Sequence, residues 1–165
     1  MYICGMLGKR IILVGKAASG KDNLRKRFQN KGFKYGVTYT TRPPREDEVD
    51  GKDYYFITDS VANKMIDTNL FYEYVHFNGW IYGTPISEFY GSDLFIMTPK
   101  GISKIKSEDR ENSFIIYLDI DSKTRLERLQ SRNMPGDSAE RRIIADDEDF
   151  KDFTDFDLRI TNSNF

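Results

Sequence analysis

Cysteine and histidine are almost absent, since Cys4 and His76 are the only ones among 165 residues. A lone cysteine excludes a disulfide framework and favours a reducing compartment, so we expect a cytoplasmic protein. His76 has no catalytic partner evident in the sequence and is expected at the surface. Apolar runs stay well short of the about 20 residues that span a membrane, and residues 1–7 lack the charge pattern of a signal peptide.

An excess of either charge is also lacking, since 25 Lys and Arg residues stand against 26 Asp and Glu residues. Bulk charge therefore favours neither nucleic acid nor a membrane surface as a partner, and any arginine that binds a ligand must do so through its placement. The length and the apolar content of 39% suit one domain over residues 1–165. We expect a monomer or homodimer whose partners are small molecules.

Strand patterns alternate with helix patterns along most of the chain, which predicts an α/β domain with a mainly parallel, five-stranded core sheet flanked by helices. The strands that the pattern identifies lie at 10–14, 94–98, 114–118 and 158–161. The predicted helices lie at 21–29, 60–68, 101–107, 122–132 and 138–150.

The stretch between residues 36 and 84 differs from the rest of the chain. It carries two hairpin signals, Asp50-Gly51 and Asn78-Gly79, each flanked by aromatic and β-branched residues. We therefore expect a small antiparallel subdomain at about 36–90, inserted into a core formed by about 8–35 and 91–165. A loop at 133–136 predicts a short lid at about 132–142.

Residues 15–22 read Gly-Lys-Ala-Ala-Ser-Gly-Lys-Asp, which fits the Gly-x-x-x-x-Gly-Lys pattern of a phosphate-binding loop. An apolar run at 11–14 precedes it and a helical pattern follows it, so backbone N–H groups of the loop and the helix N-terminus form an anion cradle. Lys21 is expected to reach the terminal phosphates of a nucleotide. The chain is therefore predicted to be a nucleotide-binding enzyme.

Two arginines follow at a spacing of three, in the segment Thr-Arg-Pro-Pro-Arg at 41–45. The prolines favour a polyproline-like path with three residues per turn, so Arg42 and Arg45 should project from one edge. Two guanidinium groups on one edge suit a single phosphate, which each can bind through two hydrogen bonds. The alternative is an ordinary solvated loop.

A carboxylate stands among apolar side chains on the predicted strand 71–77, where Glu73 shares a face with three of them. A buried carboxylate needs matched donors, and guanine offers its N1–H and exocyclic amine side by side. The alternative places Glu73 in water on an edge strand. Tyr54 before this strand and Tyr82 and Thr84 after it carry hydroxyls that can donate to a phosphate. Tyrosines on a sheet more often serve only in packing against their neighbours.

Four arginines flank the expected lid loop: Arg128, Arg132, Arg141 and Arg142. Phosphoryl transfer needs positive charge around the moving group, and a closing lid also excludes water. Asp137 lies four residues before Arg141 and can pair with it, so Arg141 is expected at the surface. We expect two or three of the four to act on the nucleotide, the alternative being a charged helical face.

With these residues the chain resembles the guanylate kinases, which phosphorylate GMP with ATP. The segments that carry the resemblance are 15–22, 40–45, 48–56, 71–73 and 82–84, and the likeness runs from about residue 10 to 162. It implies a P-loop nucleoside monophosphate kinase fold, Mg²⁺ with ATP as the cofactor, and phosphoryl transfer to GMP or dGMP.

The resemblance also implies roles by position. The GMP site would comprise Thr38, Arg42, Arg45, Tyr54, Glu73, Tyr82 and Thr84, with Glu73 and Thr84 at the base. The ATP site would comprise Gly15, Lys16, Ala17, Ala18, Ser19, Gly20, Lys21, Asp22, Asn23, Arg128 and Arg132. The catalytic residues would be Lys21, Arg45, Arg132 and Arg142, and we expect Asp22 to be the metal ligand.

The chain departs from the family pattern in places. Asp22 stands where the family has Ser or Thr, Ala18 where it usually has Gly, and residues 96–98 read Ile-Met-Thr where it has Asp-x-Asp. The chain ends at Phe165, where the family usually adds a helix. We therefore expect a compact, divergent member of a type found in viruses or phages.

Two alternatives to a kinase acting on GMP stay open at this point. One is a kinase that accepts a broader range of (deoxy)nucleoside monophosphates. The other is a non-catalytic guanylate-kinase-like module of the kind that holds phosphopeptides in scaffold proteins. Such modules typically lose the lysine and glycines of the phosphate loop, whereas Gly15, Gly20 and Lys21 are present here.

Overall fold

The computed structural model describes residues 8–77, 79–131 and 139–165. In these ranges the elements run in the order β1 (Arg10–Gly15), α1 (Lys21–Gln29), β2 (Tyr39–Thr40), β3 (Tyr55–Phe56), α2 (Asp59–Asp67), β4 (Phe71–Phe77), β5 (Trp80–Pro85), α3 (Ile86–Gly91), β6 (Leu94–Ile96), α4 (Pro99–Ile102), α5 (Ser107–Glu111), β7 (Ser113–Leu118), α6 (Ser122–Gln130), α7 (Ala139–Phe150) and β8 (Leu158–Ile160). None of the described helices is long and apolar enough to cross a bilayer.

The core is a parallel sheet in the order β6-β1-β7-β8, with helices packed around it. The predicted apolar run at 11–14 is buried along its whole length, as expected for a central strand covered on both faces. The described sheet has four full strands rather than five. A fifth position is reduced to one parallel bridge from Tyr35 to Leu94. The chain then passes over the Phe95 ring at Gly36, where a Cβ atom would lie 2.1 Å from that ring.

A second sheet of order β3-β2-β5-β4 lies between α1 and β6 in the chain. The Gly79 turn joins β4 and β5 as the predicted antiparallel hairpin, with Phe77 opposite Trp80; Asn78 lies outside the described residues. The hairpin predicted at Asp50-Gly51 is wrong. The flanking strands β2 and β3 pair in parallel, so the sheet is mixed rather than antiparallel. Here the carboxylate of Asp50 accepts the N–H of Phe56 at 2.9 Å, so the segment folds into a local turn instead of a hairpin.

Most predicted helices are present, and α1 has the predicted bounds. The helix predicted at 101–107 is wrong. Pro99 begins α4 early, with the Thr98 hydroxyl accepting the Gly101 N–H at 3.1 Å. The chain is extended again at Lys106 before α5 begins. The short helix α3 was not predicted, and the expected lid loop lies outside the described residues.

The two sheets meet along a cleft at the carboxyl edge of the core, where β1, β6 and β7 all end. Ligands of open α/β sheets bind at such an edge. Arg25 of α1 reaches the turn that precedes β3 and pairs there with Asp53 at 2.7 Å. The cleft contains a cavity of about 530 Å³ lined by both parts of the molecule.

Candidate active site

The phosphate loop connects β1 to α1 at the floor of this cavity. Gly15 has no room for a side chain, because a Cβ atom would lie 2.8 Å from the carbonyl oxygen of Leu118. Ala18 and Gly20 adopt positive φ angles of 59° and 99°. Left-handed backbone disfavours Ala by roughly 1–2 kcal/mol, which gives a physical reason for the glycine that the family usually has at position 18.

Lys21 starts α1 and lies across the mouth of the loop. Its ammonium group donates to the carbonyl oxygens of Gly15 and Lys16 at 2.6 and 2.9 Å. These contacts hold a positive charge directly over the anion cradle, where a phosphate that enters the loop can replace one of the carbonyl oxygens as acceptor.

Arg42 and Arg45 come together around Glu48, which motif reading did not single out. Arg42 is buried, and its Nη2 donates to both carboxylate oxygens of Glu48 at 2.7 and 2.9 Å. Arg45 Nη1 lies 3.6 Å from the same carboxylate. Burial, followed by the charges of Arg42 and Arg142 among others, lowers the pKa of Arg45. Two guanidinium groups therefore meet at one carboxylate, and Arg142 lines the same cavity.

Glu73 is buried, with 7% of its surface exposed, so it does not stand in water, although β4 is an edge strand of its sheet. The hydroxyl of Thr84, directly opposite on β5, donates to Glu73 Oε1 at 2.6 Å. Burial raises the pKa of Glu73, and the Thr84 hydroxyl and the Lys104 charge offset part of that rise. A Cβ atom on Gly101 would lie 3.1 Å from Glu73 Oε2, so the first turn of α4 passes close beside this carboxylate.

Most of the predicted site residues line this cavity. They are Gly15, Ala17, Ala18, Ser19, Gly20, Lys21, Asp22, Asn23, Thr38, Arg42, Arg45, Tyr54, Glu73, Tyr82, Thr84, Arg128 and Arg142. Lys16 is not among the lining residues, and its ammonium group turns to Asp147. Arg132 and Asp137 lie outside the described residues, and with Asp137 the suggested pairing to Arg141. His76 is exposed, as expected.

Arg128 and Asp22 have protein partners that the sequence did not indicate. Arg128 donates to the carbonyl oxygens of Ala18 at 3.0 Å and Ser163 at 3.3 Å, and so ties the phosphate loop to the segment after β8. Asp22 lies in the first turn of α1, 68% exposed, with Oδ1 3.6 Å from Arg25 Nε. Among the described residues no group of three or more His, Cys, Asp or Glu side chains forms a metal cluster.

Asp146 is a charged cavity residue that sequence reasoning did not predict. Its Oδ2 accepts the backbone N–H of Ala17 at 2.7 Å, and Arg125 Nη1 lies 3.4 Å from the same oxygen. Burial raises the pKa of Asp146, although the Ala17 N–H and nearby cations such as Lys21 oppose the rise. No short-range pattern links Asp146 to a loop 129 residues earlier in the chain.

Known proteins resemble this chain in sequence and in fold. The family "Guanylate kinase" matches residues 7–165. The guanylate kinase of Prochlorococcus marinus (strain MIT 9312) is 30% identical over 94% of this chain and 90% of its own. The guanylate kinase of Lactobacillus delbrueckii subsp. bulgaricus is also 30% identical, over 94% and 81%. A crystal structure of guanylate kinase from Anaplasma phagocytophilum shares the fold, with a TM-score of 0.72 and 22% identity over 94% of this chain and 77% of that one. The chain belongs to the guanylate kinase family.

Proposed function

We infer that this chain is a nucleoside monophosphate kinase that transfers a phosphoryl group from ATP to GMP, and we propose that dGMP is also accepted. The observation that carries this inference is that the phosphate loop, Arg42 with Arg45, and the Glu73–Thr84 pair all line one cavity of about 530 Å³. A donor nucleotide on the loop and an acceptor held at both its phosphate and its base can meet in that space.

The donor end of the reaction is assigned to the loop and its lysine. Backbone N–H groups of residues 18–22 and the start of α1 attract the ATP phosphates, and the ammonium group of Lys21 neutralises charge that develops on them. The hydrogen bonds that Lys21 makes to two carbonyl oxygens already place this charge at the mouth of the loop.

The acceptor end is assigned to the second sheet. Arg42 and Arg45 would bind the GMP phosphate, with Thr38, Tyr54 and Tyr82 around it, and Glu73 with Thr84 would bind the base. Arg142 lines the same cavity, and we propose that it acts where the two phosphates would meet. Positive charge at that point stabilises the transferring group, and Arg132 is proposed to join it from the lid.

Magnesium is expected to enter with ATP. Mg²⁺ prefers oxygen ligands and is held in kinases by one or two carboxylates together with substrate phosphates and waters. The exposed carboxylate of Asp22, next to Lys21, fits such a role, although Arg25 lies 3.6 Å away and competes for it. When bound, the ion would offset the repulsion between Asp22 and the phosphates. We further propose that the protein works in the cytoplasm as a monomer or homodimer, without nucleic-acid or membrane partners.

A coupled assay of ADP release tests this function, with GMP, dGMP, IMP, AMP and UMP as acceptors. We expect turnover with GMP and dGMP, and a loss of at least about 100-fold in kcat for Lys21→Ala, because one preorganised charge supplies several kcal/mol to such a transition state. Lys26→Ala is the matched control, since Lys26 is exposed on the same helix. Release of ADP with none of these acceptors would overturn the proposal.

A further inference from the structure

Helix α7 turns one face toward the cavity, and that face carries Arg142, Asp146 and Asp149 at a helical spacing of four and three. Arg142 is proposed above to act on the transferring phosphoryl group. Asp146 lies one turn further along the same face. The contacts of Asp146 therefore bear on where Arg142 stands.

Asp146 bonds to the backbone of the phosphate loop itself. Its buried carboxylate accepts the N–H of Ala17 at 2.7 Å, a charge-assisted hydrogen bond of the stronger kind. The next residue repeats the connection, because Asp147 Oδ1 pairs with Lys16 Nζ at 2.5 Å. Two consecutive residues of α7 thus hold two consecutive residues of the loop.

Arg125 of α6 fixes this carboxylate from behind. It is 1% exposed, and its Nε donates to the carbonyl oxygen of Ile120 at 3.0 Å. Its Nη1 and Nη2 lie 3.4 and 3.5 Å from Asp146 and Asp147. A guanidinium buried in this way is costly unless its partners are matched, so the arrangement is built around the two aspartates.

We propose that Asp146 is a positioning residue that locks helix α7 onto the phosphate loop and thereby places Arg142 relative to the bound donor. This proposal rests on the proposed function. Four residues of helix separate the two side chains by about 6 Å, a rigid distance. A displacement of about 1 Å between loop and helix would therefore reach Arg142, which is enough to cost up to about 100-fold in rate.

A competing role for Asp146 predicts the opposite kinetics. Its negative charge shares the cavity with Lys21, so the carboxylate could instead occupy a place that a donor phosphate needs. If Asp146 blocks the donor site, removal of its side chain should let ATP bind more tightly. If Asp146 positions α7, the same removal should lower turnover.

The experiment measures kcat and both KM values for Asp146→Ala, Asp146→Asn and Glu148→Gln. We expect Asp146→Ala to lower kcat about 10- to 100-fold with the KM for GMP within about twofold of wild type. Asp146→Asn should recover part of the loss, because its amide oxygen can still accept the Ala17 N–H. Glu148→Gln is the matched control on the same helix, with 78% of the side chain exposed, and should match wild type.

A double-mutant cycle with Arg142→Ala completes the test. If Asp146 acts through Arg142, Asp146→Ala should have less than about a threefold effect once Arg142 is gone, whereas independent roles would multiply. Far-ultraviolet circular dichroism identifies variants that fail to fold. If Asp146→Ala is one of them, the same cycle with Asp146→Asn decides the question. An unchanged kcat, a lower KM for ATP, or full additivity would overturn the proposal. An inactive wild type would refute the proposed function instead.

Discussion

Glu48 holds Arg42 through both of its carboxylate oxygens, at 2.7 and 2.9 Å from the same guanidinium nitrogen. The same carboxylate accepts the backbone N–H of Arg45 at 2.8 Å, which closes the loop between them. Burial on its own would lower the pKa of Arg42, but the hydrogen bonds that Arg42 donates to Glu48, together with the charge of Glu48 and the nearby Tyr82 and Tyr54, outweigh it and leave the pKa raised. The corner proposed for the acceptor phosphate is therefore held in place by Glu48.

Glu48→Gln should weaken the use of GMP. The amide keeps one acceptor but loses the charge that fixes Arg42, and charge-assisted hydrogen bonds contribute about 1.5–3 kcal/mol. We expect the KM for GMP to rise about tenfold or more while the KM for ATP stays within about twofold. Glu46→Gln is the control, because Glu46 is exposed on the same loop. Equal GMP kinetics in the two variants would show that Glu48 does not organise the site.

The parts of the fold that sequence predicted are those with local signals. The run at 11–14 is buried as a central strand, and α1 begins at Lys21 because Gly20 adopts a φ of 99° just before it. Prediction failed where the structure depends on one side chain finding one N–H group. The Asp50 carboxylate does this at the supposed hairpin, and no periodicity reveals it.

The candidate site divides in the same way. Gly15 and Lys21 belong to a continuous motif whose geometry follows from its spacing, and Arg42 and Arg45 are three residues apart. Glu48 is close in sequence, but nothing in a lone glutamate says that it will turn back onto two arginines. Asp146 was out of reach, since its contact with the loop exists only after α7 has packed.

Asp22→Asn should raise the Mg²⁺ concentration needed for half-maximal activity. In its proposed role the carboxylate supplies a hard oxygen ligand beside Lys21, and an amide oxygen is a weaker one for Mg²⁺. Adding Thr98→Asp to this variant should partly lower the Mg²⁺ concentration needed again, because residue 98 also lines the cavity. An unchanged Mg²⁺ titration would reduce Asp22 to a favourable charge at the N-terminus of α1 and a partner of Arg25.

Glu73→Gln should stabilise the folded protein at neutral pH while impairing the use of GMP. Burial raises the pKa of Glu73, so between its unfolded and folded pKa values the folded chain binds more protons than the unfolded one. Stability therefore falls as pH rises through that interval, and the ionised carboxylate stays unfavourable above it. Glutamine avoids this effect and can still accept from Thr84.

Thermal unfolding of both proteins across pH checks the sign. The Tm of Glu73→Gln should exceed that of wild type at pH 7–8, and the difference should shrink as pH falls toward about 4.3, the ordinary pKa of a glutamate. A difference that grows toward acid pH would mean that Glu73 is stabilised as an anion in the folded protein. Glu88→Gln is a control carboxylate, from a helix that follows the same hairpin.

Base choice should favour guanine without strict rejection of hypoxanthine. Glu73 can accept the N1–H of either base, whereas adenine has no N1–H and would leave the buried carboxylate unpaired. Residues 96–98 read Ile-Met-Thr, so they offer no carboxylate to accept a hydrogen bond from the exocyclic amine of guanine. We expect kcat/KM to be highest for GMP, about tenfold lower for IMP and at least about 100-fold lower for AMP.

Thr98→Asp should sharpen this preference. Thr98 lines the cavity and caps α4 by accepting the Gly101 N–H at 3.1 Å, and aspartate caps a helix equally well, so the local fold should survive. A carboxylate there adds an acceptor for the guanine amine, about 1–3 kcal/mol, which should widen the ratio of GMP to IMP by about tenfold or more. Thr98→Ser keeps the cap and should leave the ratio unchanged. Equal turnover of AMP and GMP by the wild type would show that Glu73 does not read the base, because a buried carboxylate facing the acceptor N1 of adenine cannot be indifferent to it.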